Sequence, residues 1–270
     1  MMFFFNKIIK KIIQIFLIEY TFGFQAKKNK KYYIDLFNSA KSYKDEFIDN
    51  FIKKKNINLD NDWFDNLAFH TQVVIKKSKI NYYHGKILYA LVSEHIALNN
   101  LEYINILETG TARGYSSLCM SKAINDMKIK GRIYTVDILP HNKKMFWNCI
   151  DDHDGKRTRA ELLVHWKDYV QNIEFITGFS KNILQKIDLK RINFAFLDGA
   201  HNLRTIKKEY EYVSQRQKKN DIIFFDDITN DIFPELTDFI ADIEKNNTYK
   251  VDYLSSSESR GYALAVKLEY

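Results

Sequence analysis

Residues 104–117, INILETGTARGYSS, constrain the fold more than any other part of the chain. They begin with a short apolar run, pass through Gly110 and Gly114, and continue into a helix-like stretch. Glycine lets backbone N–H groups approach a ligand closely, and the N-terminus of a helix supplies further donors. The pattern therefore predicts a strand, a ligand-binding turn and a helix, which together open an α/β sheet.

Three later apolar runs each end in acidic residues. Asp137 ends the first, Asp198 ends the second with His201 just beyond it, and Asp226 and Asp227 end the third. Ligands of open parallel sheets bind beyond the carboxyl ends of the strands. We therefore expect these side chains beside the glycine turn, as a nucleoside-type cofactor site next to a candidate metal site.

From residue 104 onwards, strand-like runs alternate with helix-like stretches, which predicts right-handed crossovers and a mostly parallel sheet. The last two runs are joined by SSSESRG, which is too short for a helical crossover, so they are expected to pair antiparallel. Strands are predicted at 104–109, 132–137, 173–177, 192–198, 221–226, 249–254 and 262–268. Helices are predicted at 115–127, 143–150, 160–169, 180–187, 202–217 and 231–246.

The first hundred residues are helix-like and contain no proline. Helices are predicted there at 41–55, 63–74 and 84–98. Asn61 or Asp62 is the expected cap of the second of these helices. Because no flexible linker precedes the first strand, we expect a helical N-terminal extension or cap over residues 1–100 and a ligand-binding domain over residues 101–270.

Residues 3–20 place Lys7, Lys10 and Lys11 on one side of a predicted helix and large apolar side chains on the other. Three uses of such a helix stay open: packing on its own domain, docking on a partner chain as in a homodimer, or lying on an anionic membrane surface. No apolar run approaches the roughly 20 residues of a spanning helix, and no signal-cleavage pattern follows. The expected location is the cytoplasm, with peripheral contact at the inner membrane face if this helix binds lipid.

The net charge of +7 and the pI of about 9.0 would suit an anionic partner. However, the lysines are scattered and form neither an Arg-rich stripe nor a nucleic-acid motif, so nucleic acid is not an expected partner. Cys119 and Cys149 are not spaced as a metal knuckle or as a disulfide framework, which agrees with a reducing cytoplasm.

The glycine turn departs from two familiar nucleotide-binding motifs. A dinucleotide fingerprint starting at Gly110 needs glycine at positions 112 and 115, which are Ala112 and Tyr115 here. A Walker A loop needs Gly-Lys-Ser/Thr, which the chain does not contain. A nicotinamide-dependent oxidoreductase is therefore disfavoured, and a non-catalytic nucleoside-binding or membrane-docked scaffold is the alternative from another class. Asp137 could accept both ribose hydroxyls of a nucleoside, or could cap a helix.

Asp198, Asp226 and Asp227 are expected about one strand spacing apart, roughly 4.8 Å, if their strands are neighbours. Three carboxylates that close repel one another unless one is protonated or a cation lies between them, and such oxygen ligands suit Mg²⁺. His201 beside that cation could take a proton from a hydroxyl near neutral pH. The alternatives are that the aspartates cap the following helix and that His201 only packs or caps.

A second acidic cluster, residues 151–154, lies in a segment over residues 147–170 that interrupts the alternation of strands and helices. Acidic spacing of this kind around Gly155 is more typical of a polar turn than of a metal site. The segment is also a candidate part of an acceptor pocket or of a dimer contact.

Taken together, these motifs resemble the class I S-adenosylmethionine-dependent methyltransferases, and among them the metal-dependent O-methyltransferases such as catechol O-methyltransferase and macrocin O-methyltransferase. The resemblance covers residues 104–270 and implies a Rossmann-like α/β fold of seven strands with an antiparallel last strand. It implies that the methionine part of the cofactor is held by Glu108, Gly110, Thr111, Gly114, Tyr115 and Ser116. It further implies that Asp137 binds the ribose, that the adenine is approached by Gly178, Phe179 and Ser180, and that Mg²⁺ or another divalent cation is bound by Asp198, Asp226 and Asp227.

The resemblance also implies the reaction and its catalytic residues, Asp198 and His201. The catechol enzymes carry a catalytic lysine three residues after the first metal aspartate, where this chain has His201. The same replacement occurs in some sugar O-methyltransferases. The expected methyl acceptor is therefore a sugar or related hydroxyl compound, either a small molecule or a glycan.

Overall fold

The computed structural model of the protein describes residues 22–23, 25, 28–76, 79–255 and 261–268. The chain divides into two compact units that alternate along the sequence. The unit that we call the helical unit takes the described residues up to Tyr43, together with Asp60–Tyr82 and Asn142–Val164. The unit that we call the sheet unit takes Lys44–Leu59, Tyr83–His141 and the described residues from His165 onwards. The amphipathic helix expected over residues 3–20 lies outside the described residues.

The helices of the described chain belong to both units. The α-helices are α1 (Lys30–Ser42), α2 (Glu46–Lys54), α3 (Asn61–Thr71), α4 (Tyr83–Leu98), α5 (Tyr115–Asp126), α6 (Arg159–Leu162), α7 (Lys167–Val170), α8 (Ser180–Ile183), α9 (Leu203–Ser214) and α10 (Pro234–Lys245). Short 3-10 helices cover Ile150–Asp154, Val164–Trp166 and Leu184–Lys186.

The strands all belong to the sheet unit. They are β1 (Tyr103–Thr109), β2 (Lys130–Asp137), β3 (Ile173–Thr177), β4 (Phe194–Leu197), β5 (Ile222–Phe225), β6 (Tyr249–Ser255) and β7 (Gly261–Lys267). Their order in the sheet is β3-β2-β1-β4-β5-β7-β6. Strands β1 to β5 run parallel, and β7 is antiparallel to both of its neighbours. The expected Rossmann-like α/β sheet of seven strands with an antiparallel last strand is confirmed.

The two strands β4 and β5, near the middle of the sheet, are completely buried. All four residues of β4 and all four of β5 are buried. Parallel strands covered by helices on both faces read as continuous apolar runs, here FAFL and IIFF, and not as alternating patterns. The polar residues that follow these runs therefore mark the edge of the sheet where the loops begin.

The boundary expected between residues 100 and 101 does not match the division into units. Helix α4 precedes that boundary but belongs to the sheet unit, because 12 of its 16 residues are buried and it packs along α5. A helix that is apolar on nearly all sides must be covered by neighbouring elements. Conversely, residues 142–164 follow the boundary but fold with the helical unit.

Two predicted helices between β2 and β3 are wrong. No α-helix covers residues 143–150, where Met145 pairs with Arg157 in an antiparallel bridge. The carboxylate of Asp152 accepts hydrogen bonds from the N–H groups of Trp147 and Asn148 at 2.8 and 2.7 Å. Such side-chain bonds to nearby backbone compete with helix formation. The helix predicted at 160–169 is divided into α6 and α7, with a 3-10 turn between them.

Two aspartate caps also shift helix boundaries. The helix predicted at 41–55 is interrupted, because the side chain of Asp45 accepts a hydrogen bond from the N–H of Ile48 and begins α2. Helix α3 is capped by Asp60, whose carboxylate accepts from the N–H of Trp63 at 3.1 Å, and not by the two residues that follow it. The helix predicted at 180–187 is α8 followed by a 3-10 turn.

The helical unit has its own small core, formed by Tyr33, Val73 and Ile75 with partly buried Leu36, Phe37, Phe69, Ile80 and Ile150. The acidic cluster of this unit is ion-paired. Asp151 lies 2.7 Å from Nδ1 of His70 and 3.3 Å from Nη1 of Arg157, and Asp154 lies 3.2 Å from Nζ of Lys30. The cluster is therefore a polar turn held by Lys30, His70 and Arg157, the more typical of the two interpretations.

Helices α4 and α5 approach each other closely at Gly85. A Cβ atom added there would collide with the ring of Tyr115 and would lie 2.6 Å from Sγ of Cys119, both on α5. The neighbouring His84 ring contacts Tyr115 edge-on, with ring centroids 5.0 Å apart. Because α5 begins at the glycine turn, this contact supports the turn from behind.

Replacing Gly85 by alanine should lower the free energy of unfolding by about 1–3 kcal/mol, because it overpacks the interface. This loss should outweigh the gain in helix propensity, which is at most about 1 kcal/mol. Denaturant unfolding measures the difference, and Ala97→Gly at the exposed end of the same helix is the control, costing at most about 1 kcal/mol. A Gly85→Ala protein as stable as the wild type would contradict the close packing of α4 on α5.

Candidate functional site

The glycine turn and the end of β4 are joined through their backbones. The N–H of Asp198 donates to the carbonyl of Thr109 at 3.0 Å, and the N–H of Gly110 donates to the carbonyl of Val136 at 2.9 Å. Gly110 has a φ of 91°, and a Cβ atom there would collide with the carbonyl oxygen of Asp198. Glycine alone meets both requirements. It therefore brings the turn against the first of the predicted metal ligands.

Glu108 is fully buried behind the turn and accepts hydrogen bonds from three hydroxyl groups. The donors are Ser116 and Ser117, in the first turn of α5, and Thr135 of β2 at 2.5 Å. Burial raises the pKa of Glu108, and the three hydroxyl bonds oppose that rise. The structure thus brings the predicted residues Glu108 and Ser116 together, where they fasten β1 to α5.

Two other predicted residues of the loop point inward as well. The hydroxyl of Thr111 lies 2.5 Å from that of Thr135, and the ring of Tyr115 is buried against α4. Gly114 has a φ of 94° and begins α5 without a side-chain cap. The groups that this end of the loop offers to a ligand are therefore the N–H groups of the first turn of α5, which lack helical acceptors.

Asp137 ends β2 and lies beside the glycine turn, where the sequence analysis places it. Its Oδ2 accepts from the N–H of Ala112 at 2.6 Å, and its Oδ1 accepts from the N–H of Leu139 at 2.7 Å. Each carboxylate oxygen has a further lone pair. The group can therefore accept two more hydrogen bonds from a partly exposed position.

The turn after β3 is attached to the same strand end. The N–H of Gly178 donates to the carbonyl of Asp137 at 2.7 Å, and Gly178 has a φ of 151°. The side chain of Phe179 is 61% exposed and offers a flat apolar face. The hydroxyl of Ser180, which is expected to approach the adenine, lies near the carboxyl of Glu209 and lowers the pKa of that group.

The candidate metal ligands that the structure groups together are Asp198, His201 and Asp227. Each offers one ligand atom, and the three atoms lie within 4.8 Å of one another. Nδ1 of His201 lies 3.1 Å from Oδ2 of Asp227, and the imidazole ring stacks on Phe233 with centroids 5.2 Å apart. All three ligand residues are partly exposed. Two carboxylates at this spacing fit a divalent cation, and the imidazole lies beside them.

Asp226 does not join this group in the described part of the chain, although it was predicted as a ligand. Its side chain is buried, and Oδ1 accepts a hydrogen bond from the N–H of Asp227 at 2.9 Å. Asp227 directly follows Asp226, in a left-handed backbone conformation with a φ of 56°. The imidazole of His201 lies beside Asp198 and Asp227 in the group.

Glu209 is a residue at the site that the sequence analysis missed. It lies on the buried face of α9, and its Oε1 is 3.3 Å from where a Cβ of Gly199 would stand. Burial raises the pKa of Glu209 to about 7, and the hydroxyls of Ser180 and Thr109 oppose that rise. In the sequence, Glu209 is a charged residue on the apolar face of a predicted amphipathic helix. That exception to the apolar pattern is the signal that could have identified Glu209 as a candidate.

Residues 107–228 match the model of a family described as a methyltransferase domain. The matched segment runs from within β1 to just beyond β5, so it contains the glycine turn, Asp137 and the three grouped ligands. No curated protein matches the chain. No described helix is both long enough and apolar enough to cross a membrane.

Several solved structures share the fold. The cofactor-bound protein Rv0187 from MTB is 13% identical with a TM-score of 0.55, over 88% of this chain and 97% of that chain. The O-methyltransferase TomG from Streptomyces achromogenes, in complex with SAM, is 16% identical with a TM-score of 0.51, over 89% and 99%. The O-methyltransferase from Bacillus cereus, in complex with SAH, is 18% identical with a TM-score of 0.51, over 88% and 96%.

At these identities the likeness to solved structures establishes the fold, and residues 107–228 are similar to a methyltransferase domain. The matched segment contains the end of β1, strands β2 to β5 and the glycine turn of the sheet unit, and it also spans residues 142–164 of the helical unit. The sheet unit is therefore a Rossmann-like domain of seven strands, and the end of β1 and strands β2 to β5 lie within the segment that is similar to a methyltransferase domain.

Proposed function

We propose that this domain transfers a methyl group from S-adenosylmethionine to a hydroxyl oxygen, assisted by a divalent cation such as Mg²⁺. The observation that carries the proposal is the backbone contact between Gly110 and Asp198. It joins the predicted cofactor loop to the group of Asp198, His201 and Asp227 at one point of the sheet edge. Methyl transfer needs this adjacency, because the sulfur, the methyl carbon and the acceptor oxygen must be aligned.

The residues around the glycine turn suit S-adenosylmethionine. The N–H groups at the start of α5 can bind its carboxylate, Asp137 can accept from its ribose hydroxyls, and Phe179 offers a face to its adenine. A dinucleotide is a poorer fit, because Ala112 and Tyr115 stand where its pyrophosphate needs glycine. When bound, S-adenosylmethionine supplies a methyl group on a positively charged sulfur.

The residues grouped around Asp198 suit a divalent cation. Two carboxylates this close to each other repel unless a positive charge lies between them. The hydrogen bond from the N–H of Asp227 to Asp226 holds the backbone of Asp227, and so helps to orient the carboxylate of Asp227. When bound, such a cation makes the proton of a coordinated hydroxyl easier to lose.

His201 is placed to receive that proton. Its Nδ1 lies within hydrogen-bond distance of Asp227, which favours the tautomer with the hydrogen on Nδ1. Nε2 then keeps its lone pair and can take the hydroxyl proton while the oxygen–methyl bond forms and the sulfur–methyl bond breaks. The stack on Phe233 holds the imidazole plane.

The proposed acceptor is a sugar or another aliphatic hydroxyl compound. The support is His201, which stands where the catechol enzymes carry lysine. An aliphatic hydroxyl holds its proton more tightly than a phenol does, so a base at the site contributes more to its reaction.

Replacing Asp137 by alanine should weaken S-adenosylmethionine binding about tenfold or more, because charge-assisted hydrogen bonds to the ribose are lost. Calorimetric titration measures the change, with NAD as the comparison ligand. Asp188→Ala, at an exposed aspartate that is ion-paired with Lys190, is the matched control and should bind normally. A wild-type protein that binds NAD and not S-adenosylmethionine would overturn the cofactor assignment.

Asp198→Asn and Asp227→Asn should each weaken Mn²⁺ binding at least tenfold, because each removes one of two negative ligands. Electron paramagnetic resonance of free Mn²⁺ measures the affinity. Asp154→Asn, which changes an exposed aspartate of the helical unit, is the control. Unchanged Mn²⁺ affinity in both site variants would exclude a cation at this group.

His201→Ala should lower kcat by about 10²–10⁴-fold if the imidazole is the base. The assay is formation of S-adenosylhomocysteine with a panel of sugar acceptors, and exposed His165→Ala is the control. Mn²⁺ affinity should stay within about threefold of the wild-type value. If Mn²⁺ affinity falls together with activity, His201 is a ligand and the base assignment is wrong.

A further inference from the structure

Helix α9 buries a carboxyl where its pattern calls for an apolar side chain. The helix begins just after His201, and its other buried residues are Thr205, Ile206, Tyr212 and Val213. Glu209 shares this face and is 1% exposed. Burying a carboxyl without full hydrogen bonding is costly, and a leucine here would avoid the cost. The carboxyl is therefore not explained by packing.

The carboxyl of Glu209 faces residues from three different loops. One is Thr109, the last residue of β1 before the glycine turn, and another is Ser180, the first residue of α8 after the turn that follows β3. The third is Gly199, where an added Cβ would lie 3.3 Å from Oε1 of Glu209 and 3.2 Å from Oγ1 of Thr109. Gly199 directly follows Asp198. The three loops are those expected to hold the methionine part, the adenine and the cation.

The hydrogen bonding of this carboxyl is incomplete. Oε1 of Glu209 and Oγ1 of Thr109 are both buried, and neither makes a hydrogen bond of normal geometry within the described chain. Both nevertheless lie beside the same glycine, and the Thr109 hydroxyl is close enough to stabilise the charged carboxyl. A small shift of either loop therefore makes or breaks the bond between them.

Resting on the proposed function, we propose that Glu209 is a positioning residue that couples the cofactor site to the cation site. Its carboxyl contacts Thr109 next to the glycine turn and Ser180 next to the turn after β3. These contacts keep both turns close to the backbone of Asp198. When S-adenosylmethionine or the cation binds, it orders the loops that the other ligand also needs. Each ligand therefore raises the affinity of the protein for the other. Glu209 itself touches neither the cofactor nor the cation.

The test is calorimetric titration of S-adenosylmethionine in the presence and absence of Mn²⁺, with the wild type, Glu209→Leu and Glu209→Gln. The wild type should bind S-adenosylmethionine several-fold more tightly with Mn²⁺ present. In Glu209→Leu the affinity should fall about tenfold and the effect of Mn²⁺ should vanish, because the loop contacts are lost. Glu209→Gln should keep most of the S-adenosylmethionine affinity and most of its response to Mn²⁺, since the carboxamide keeps an acceptor and gains donors.

Tyr212→Phe is the matched control on the same buried helix face. Its hydroxyl donates to the carbonyl of Ile187 at 2.6 Å, away from the three loops. The variant should lower the melting temperature but keep the affinity and its response to Mn²⁺.

A Glu209→Leu protein with wild-type affinity and a wild-type response to Mn²⁺ would overturn the inference. Equal losses in Glu209→Leu and Glu209→Gln would overturn it too, because hydrogen bonding would then not be the cause. A wild type that binds no S-adenosylmethionine is a different result, since it rejects the proposed function itself.

Discussion

The site depends on one close approach of backbone to backbone, where the glycine turn after β1 meets the end of β4. Gly110 lies against the carbonyl of Asp198, and the N–H of Asp198 bonds to Thr109. Any side chain at position 110 would push the two loops apart. One loop carries the proposed cofactor contacts, and the other carries the first candidate cation ligand. If the loops moved apart, the two ligands would no longer bind next to each other, even though every polar residue was still present.

The loops are supported from behind by two buried carboxyl groups, those of Glu108 and Glu209. Glu108 accepts from three hydroxyls and so fixes β1, β2 and the start of α5 relative to one another. Glu209 occupies the corresponding place behind the loops after β3 and β4. Burial raises the pKa of both carboxyls, which means that the protein disfavours their charged forms. Such groups are retained where polar contacts position neighbouring backbone, since apolar side chains would serve packing better.

The sequence predicts most of the sheet, because the central strands are continuous apolar runs and the residues after them are polar. It also places Asp137 and Asp198 at the correct edge, since strand ends are visible in the pattern. It does not show that Asp227 lies closer to Asp198 and His201 than Asp226 does, because Asp227 has a left-handed backbone conformation that is unusual for a non-glycine residue. It also does not show that residues 142–164 fold with the N-terminal helices, because that pairing is set by contacts distant in sequence.

The most direct test of the account is a crystal structure with S-adenosylhomocysteine and Mn²⁺, using anomalous scattering to locate the metal. We expect the metal signal between Asp198 and Asp227, the ribose hydroxyls on Asp137, and the cofactor sulfur facing the metal side of the glycine turn. A metal bound at another position, or a cofactor bound away from the glycine turn, would contradict the claim that one edge of the sheet holds both ligands.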